Sequence, residues 1–191
     1  MGDGKEKASE KAKSPKLVVL CGYPCSGKST IAEYLYRKYD FVVLNTDAIR
    51  YELGYVFNPF AEDLPEKERE RFYEMEEVLL HTVNLRKHKL ILDGKNVVID
   101  SCAIYEKTRN DMLFSYLAKK YLIFLNVDKH ILIDRNLQKG RKEAKEILVK
   151  LERYWQEPRP SENYTLITYP NNTREDLEIL LKDLDSRIHL K

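Results

Sequence analysis

Leu17-Val18-Val19-Leu20-Cys21-Gly22-Tyr23-Pro24-Cys25-Ser26-Gly27-Lys28-Ser29-Thr30 decides the reading of this chain. A short apolar run ends in the pattern G-x-x-x-x-G-K-[ST], and a helical pattern over 31–38 follows. Backbone N–H groups can wrap phosphates only where a glycine-bearing turn runs into a helix N-terminus. The stretch therefore predicts a strand, a phosphate-binding loop and a helix, and with them a site for a nucleoside triphosphate, ATP or GTP. The residues expected to hold it are Gly22, Cys25, Ser26, Gly27, Lys28, Ser29 and Thr30. Lys28 is placed to reach the β- and γ-phosphates, Ser29 to put its hydroxyl on Mg²⁺, and Thr30 to help start the helix.

Working outward, short β-rich apolar runs at 17–21, 41–44, 90–92, 121–127 and 164–168 alternate with longer helical patterns. Parallel strands joined by right-handed helical crossovers are the economical solution. The expected fold is α/β, of the P-loop NTPase and kinase type: a five-stranded parallel sheet, helices on both faces and a helical lid. Helices are expected from Pro65 to about 88, from Ser101 to about 120, from near Asp128, and from Thr173 to about 188. In the last of these Leu177, Leu180, Leu181 and Leu184 form a core stripe.

At 191 residues the chain accommodates one such domain, expected over 16–191 after a disordered, charged tail over 1–15. The 33 basic and 31 acidic residues nearly cancel, so the net charge of +2 gives no general pull towards nucleic acid. Three cysteines without C-x-x-C spacing indicate neither a disulfide framework nor a zinc site, and four scattered histidines make no ligand cluster. No apolar run is long enough to span a bilayer and no signal peptide is recognisable, so a reducing, cytoplasmic setting without a membrane partner is expected. Cys25 is either a reactive thiol or a small residue filling the loop.

Ligands of such sheets lie beyond the carboxyl ends of the strands. After the second run, Thr46-Asp47-Ala48-Ile49-Arg50 puts Asp47 there, where it could take a proton from an acceptor hydroxyl. Arg50, three positions on, could bind an anionic group of the acceptor or hold Asp47. With the run 90–92 read as a strand, Asp93 becomes a second acidic candidate, organising Mg²⁺ through water or orienting Arg50, and Asn96 either bonds the acceptor or shapes the turn. Arg135-Asn136-Leu137-Gln138-Lys139-Gly140-Arg141 has the character of a lid, with Arg135 and Arg141 the candidates for stabilising transferred charge. Trp155 and Tyr164 flank a proline-rich turn that could also pass beside a nucleotide base.

These pieces, G-Y-P-C-S-G-K-S-T, T-D-A-I-R, L-D-G-K-N and R-N-L-Q-K-G-R in that order, resemble the small P-loop kinases related to phage polynucleotide 5′-hydroxyl kinase, whose relatives include zeta-type toxins and seryl-tRNA kinases. The resemblance implies Asp47 as general base, Arg50 on the acceptor nucleotide's phosphate, lid arginines on the ATP phosphates, and RNA or DNA as acceptor. Two departures are visible: Gly94-Lys95 replaces the small residues usual between Asp93 and Asn96, and 55–64 matches no known substrate region. A small-metabolite or aminoacyl-tRNA kinase is the alternative enzyme, and a nucleotide-dependent switch in tRNA modification the alternative of another class. Nothing in the sequence sets the oligomeric state.

Overall fold

A computed structural model describes residues 14–187. The expected tail therefore lies outside the described residues except for 14 and 15, and the Pro15 carbonyl already accepts the Lys119 N–H at 2.8 Å. Five strands, β1 (Lys16–Cys21), β2 (Val42–Asn45), β3 (Val97–Asp100), β4 (Lys119–Asn126) and β5 (Thr165–Pro170), form one parallel sheet in the order β2-β3-β1-β4-β5. The chain leaves β1 towards one edge and later crosses back past it to build the other. The crevice beyond the carboxyl end of β1, between β3 and β4, is thus the switch point at which such sheets bind ligands.

Alternation along the strands divides the core. Leu17, Val19, Cys21, Val97, Ile99, Leu122 and Phe124 face a layer made by α2 (Thr46–Glu52), α3 (Glu66–Leu92) and α4 (Glu106–Leu113). Val18, Leu20, Val98, Ile123 and Leu125 face α1 (Lys28–Tyr39) and α7 (Arg174–Arg187), where Leu180 and Leu184 are fully buried. A smaller cluster of Val127, Leu132 and Leu148 joins α5 (Lys129–Gln138) to α6 (Ala144–Tyr154) and reaches Tyr23. No helix among the described residues is long and apolar enough to cross a membrane.

Two expectations are corrected. The run 90–92 is not a strand but the last turn of α3, and the third strand is Val97–Asp100. The reason is visible in burial: Leu79, Val83, Lys87 and Ile91 are buried at a spacing of four, so Ile91 ends a helical stripe while Leu92 faces solvent. Gly94, at φ 73, ends the helix, and the four residues of β3 are all buried. The helix expected from Ser101 to about 120 is shorter, Glu106–Leu113: its last carbonyls are taken by the Lys87 ammonium, and the chain enters β4 at Lys119.

Lys87 breaks the apolar pattern of α3 for a purpose that is legible in its bonds. Its ammonium donates to Asn84 Oδ1 at 2.7 Å and to the Asp111 and Met112 carbonyls at 3.1 and 3.0 Å, satisfying the open end of α4. Burial pushes its pKa down from 10.5 to about 8, with the charge of Asp111 opposing. The unfolded chain then keeps a proton that the folded one gives up, so between about pH 8 and 10.5 this group makes stability rise with pH. The difference in urea stability between the native protein and Lys87→Met is expected to shift in favour of the native protein across that window, and to be flat below it.

Candidate active site at the carboxyl edge of the sheet

The loop after β1 is shaped by two glycines. Gly22 sits at φ 148, and a Cβ there would lie 2.7 Å from Ser26 Oγ and 2.9 Å from the Leu125 carbonyl. Gly27 caps α1 at φ 103, where a Cβ would lie 2.2 Å from Asn171 Nδ2. Cys25 also takes a left-handed conformation, at φ 66. Lys28, buried at the start of α1, folds its ammonium onto the Gly22 and Tyr23 carbonyls at 3.0 and 2.9 Å. The Ser26 hydroxyl is buried without a partner among the described residues, whereas Ser29 and Thr30 are exposed at the helix N-terminus. Open helix-terminal N–H groups, an orphaned hydroxyl and a cation resting on loop carbonyls together fit a triphosphate.

Distant segments hold this loop from behind and above. Gly22 N–H donates to the Cys102 carbonyl at 3.3 Å, and Asn171 Nδ2 donates to the Ser26 carbonyl at 2.7 Å. From α5, Asn136 Nδ2 donates to the Pro24 carbonyl at 3.2 Å, and Arg135 reaches the Cys25 and Asn172 carbonyls at 3.5 and 3.1 Å. Arg141, beyond Gly140, bonds Asn136 Oδ1 at 3.0 Å and approaches Cys25 Sγ at 3.8 Å. Both lid arginines thus converge on the loop. Trp155 stacks on Tyr23 at 4.4 Å and leans on Phe124 at 5.6 Å, fastening the end of α6 to the loop, and the partly buried Tyr164 packs against the core.

The other wall begins where β2 runs into α2. Asn45 caps that helix by accepting the Ala48 N–H at 2.8 Å, and Asp47 stands in its first turn with its side chain 79% exposed. Arg50 Nη1 donates to Asp47 Oδ1 at 2.7 Å. Its Nε and Nη2 grip Glu76 of α3 at 2.8 and 2.9 Å, and Phe57 lies with its ring centre 5.0 Å from the guanidinium. The Tyr55 hydroxyl bonds Glu76 Oε1 at 2.9 Å. Burial alone would lower the pKa of Arg50, but the bonds and charge of Glu76 and the charge of Asp47 hold it above its ordinary value.

Asp93 and Asn96 do not join this group, against expectation. Asp93 is the C-cap of α3, and Asn96 Oδ1 accepts the N–H of Lys16, the first residue of β1, at 2.9 Å. Both precede β3, and in a parallel sheet that places them at the amino edge, opposite the loop. The acidic residue that β3 itself brings to the carboxyl edge is Asp100, which pairs in register with Leu20 and Asn45, is 4% exposed, and accepts a bond from Asn45 Nδ2 at 2.8 Å. Among the described residues no group of three or more His, Cys, Asp or Glu side chains could hold a metal by itself. Ser29 and Asp100 suit a Mg²⁺ carried on phosphates, which keeps most of its water and takes few protein ligands.

A family model described as AAA domain matches residues 17–157. The chain belongs to the AAA domain family. Among solved structures it is similar to a putative kinase from Chloroflexus aurantiacus j-10-fl, at 15% identity over 93% of this chain and 97% of that one, with a TM-score of 0.63. It is similar to a gluconokinase from Sinorhizobium meliloti 1021, at 16% identity over 93% and 97%, with a TM-score of 0.61. A chain of the Pnkp1/Rnl/Hen1 RNA repair complex matches 76% of this one at 22% identity and a TM-score of 0.53, and 47% of that chain is covered. This AAA domain therefore has the P-loop kinase fold. Three polar residues that shape its site, Glu76, Asp100 and Asn171, are not among those singled out from sequence. Only Asp100 carried a local signal, an acid closing the apolar run Val97-Val98-Ile99.

Proposed function

We propose that this AAA domain is a Mg²⁺-dependent phosphotransferase that moves the γ-phosphoryl group of ATP to a hydroxyl, the 5′-hydroxyl of RNA or DNA being the first acceptor to test. The observation that carries the reading is the Asp47–Arg50 pair at the carboxyl edge that also bears the phosphate loop. A nucleotide switch needs no exposed carboxylate held at that place. The acceptor oxygen forms a bond to Pγ as the bond from Pγ to the bridging oxygen breaks, the hydroxyl proton passes to an Asp47 carboxylate oxygen, and ADP leaves.

In this reading Lys28 exchanges its loop carbonyls for phosphate oxygens, and Arg135 and Arg141 stabilise the charge spread over the transferred group. Bound Mg²⁺, held by Ser29 and through water by Asp100, would neutralise phosphate charge. Arg135→Ala is expected to lower kcat by roughly 100-fold with a smaller change in nucleotide affinity, as measured by single-turnover transfer beside equilibrium nucleotide binding.

One observation favours a second acceptor class. Arg50 already faces two carboxylates, and along the N-terminal half of α3 Glu66, Glu68, Glu70, Glu74 and Glu77 outnumber Lys67, Arg69 and Arg71. A neutral small-molecule hydroxyl suits such a wall better than a polyanion. The test is transfer of labelled γ-phosphate from ATP and from GTP to 5′-hydroxyl RNA and DNA oligonucleotides and to a panel of small polyols, across a salt series. Labelled oligonucleotide with a KM rising steeply with salt supports the polynucleotide acceptor; labelled polyol with a salt-independent KM replaces it.

A further inference from the structure

We infer that Glu76 is a positioning residue for the transfer step, acting on Asp47 through Arg50. The inference rests on the reading of Asp47 as the base. Asp47 is largely exposed, and its ion-pair partner among the described residues is Arg50 alone. An exposed carboxylate on a first helical turn is otherwise free to change rotamer, and a proton acceptor displaced by about 1 Å costs about 100-fold in rate.

Arg50 is the opposite case. It is buried, and Glu76 takes its Nε and Nη2 together in the two-point geometry that fixes the plane of a guanidinium. With that plane fixed, the direction of Nη1, and so the place of the Asp47 carboxylate, is fixed too. Glu76 is itself held by the Tyr55 hydroxyl, and it stands about one turn before Leu79 and about two before Val83, which anchor α3 on the sheet. A rigid helix thus dictates the position of an exposed base on another helix, through a guanidinium 26 residues before Glu76 in sequence. If Glu76 served only as the counter-ion of buried Arg50, its replacement would cost stability without touching the rate.

The two roles separate in a double-mutant cycle. The readout is ADP formation from ATP with and without a 5′-hydroxyl RNA oligonucleotide, beside nucleotide Kd and thermal unfolding. Glu76→Gln is expected to lower kcat about 30-fold with ATP Kd unchanged, and to change the residual rate of Asp47→Asn by less than about twofold. Multiplying losses in the double variant, or a native kcat in Glu76→Gln, overturns the inference while leaving Asp47 as base. A native rate for Asp47→Asn under both conditions overturns the reading of Asp47 itself, and the inference with it. If Glu76→Gln does not fold, Tyr55→Phe removes one support of the same carboxylate. It is expected to lower kcat several-fold, again only where Asp47 is present, and a loss that persists in the Asp47→Asn background refutes the link.

Discussion

Asp47→Asn is expected to lower the rate of phosphoryl transfer by roughly 1,000-fold and to leave ATP affinity and thermal stability where they were. Asparagine has the shape of aspartate and still offers Oδ1 to Arg50 Nη1, so α2, its Asn45 cap and the Glu76 contact all survive. The side chain is 79% exposed, and its exchange leaves no cavity. In the proposed mechanism what disappears is an oxygen able to take a proton, and with it the lowering of the barrier that general-base catalysis supplies. Rapid-quench transfer and calorimetric nucleotide binding measure the two quantities separately. Turnover at the native rate, with any acceptor, would take Asp47 out of the mechanism.

Gly27→Ala acts on the donor side and through the fold. The methyl group would stand 2.2 Å from Asn171 Nδ2, which is buried and bonded to the Ser26 carbonyl, so the amide must leave that bond or the loop must move. A left-handed alanine, a broken buried hydrogen bond and local overpacking together cost about 3 kcal/mol. For a chain of this size that is a fall in Tm of roughly 6–12 °C. Because the same shift moves the phosphate-facing N–H groups, ATP affinity should fall about 100-fold or more. Gly94→Ala is the matched control: φ is also positive, at 73, but nothing lies within 4 Å of the new Cβ. Its cost is backbone strain alone, about 1 kcal/mol, with nucleotide affinity unchanged.

The difference between what could and could not be read from sequence follows the range of the interactions. The strand, loop and helix from Lys16 to Tyr39 are specified by contiguous residues, as are Pro65 before α3 and Asp128 before α5. The run 90–92 misleads because three apolar residues fit both periods, and only the buried stripe extending back through Lys87 to Leu79 decides for a helix. That one reassignment moves Asp93 and Asn96 to the far edge and brings Asp100 to the near one. Glu76 looks like any other acid of a charged helix until Arg50 is beside it. Asn171 sits in an N-x-T triplet whose sequence says nothing of a loop 145 residues away.

That distance has a consequence for the chain as it is made. The amide that closes the back of the phosphate loop comes from the turn after β5, outside the stretch 17–157 that the family shares. At translation speeds of roughly 5–20 residues per second, the loop leaves the ribosome on the order of ten seconds before the residue that completes it. Until the turn after β5 has been made, the Ser26 carbonyl has no Asn171 amide to accept from. The loop completes its set of bonds only after the edge strand has emerged.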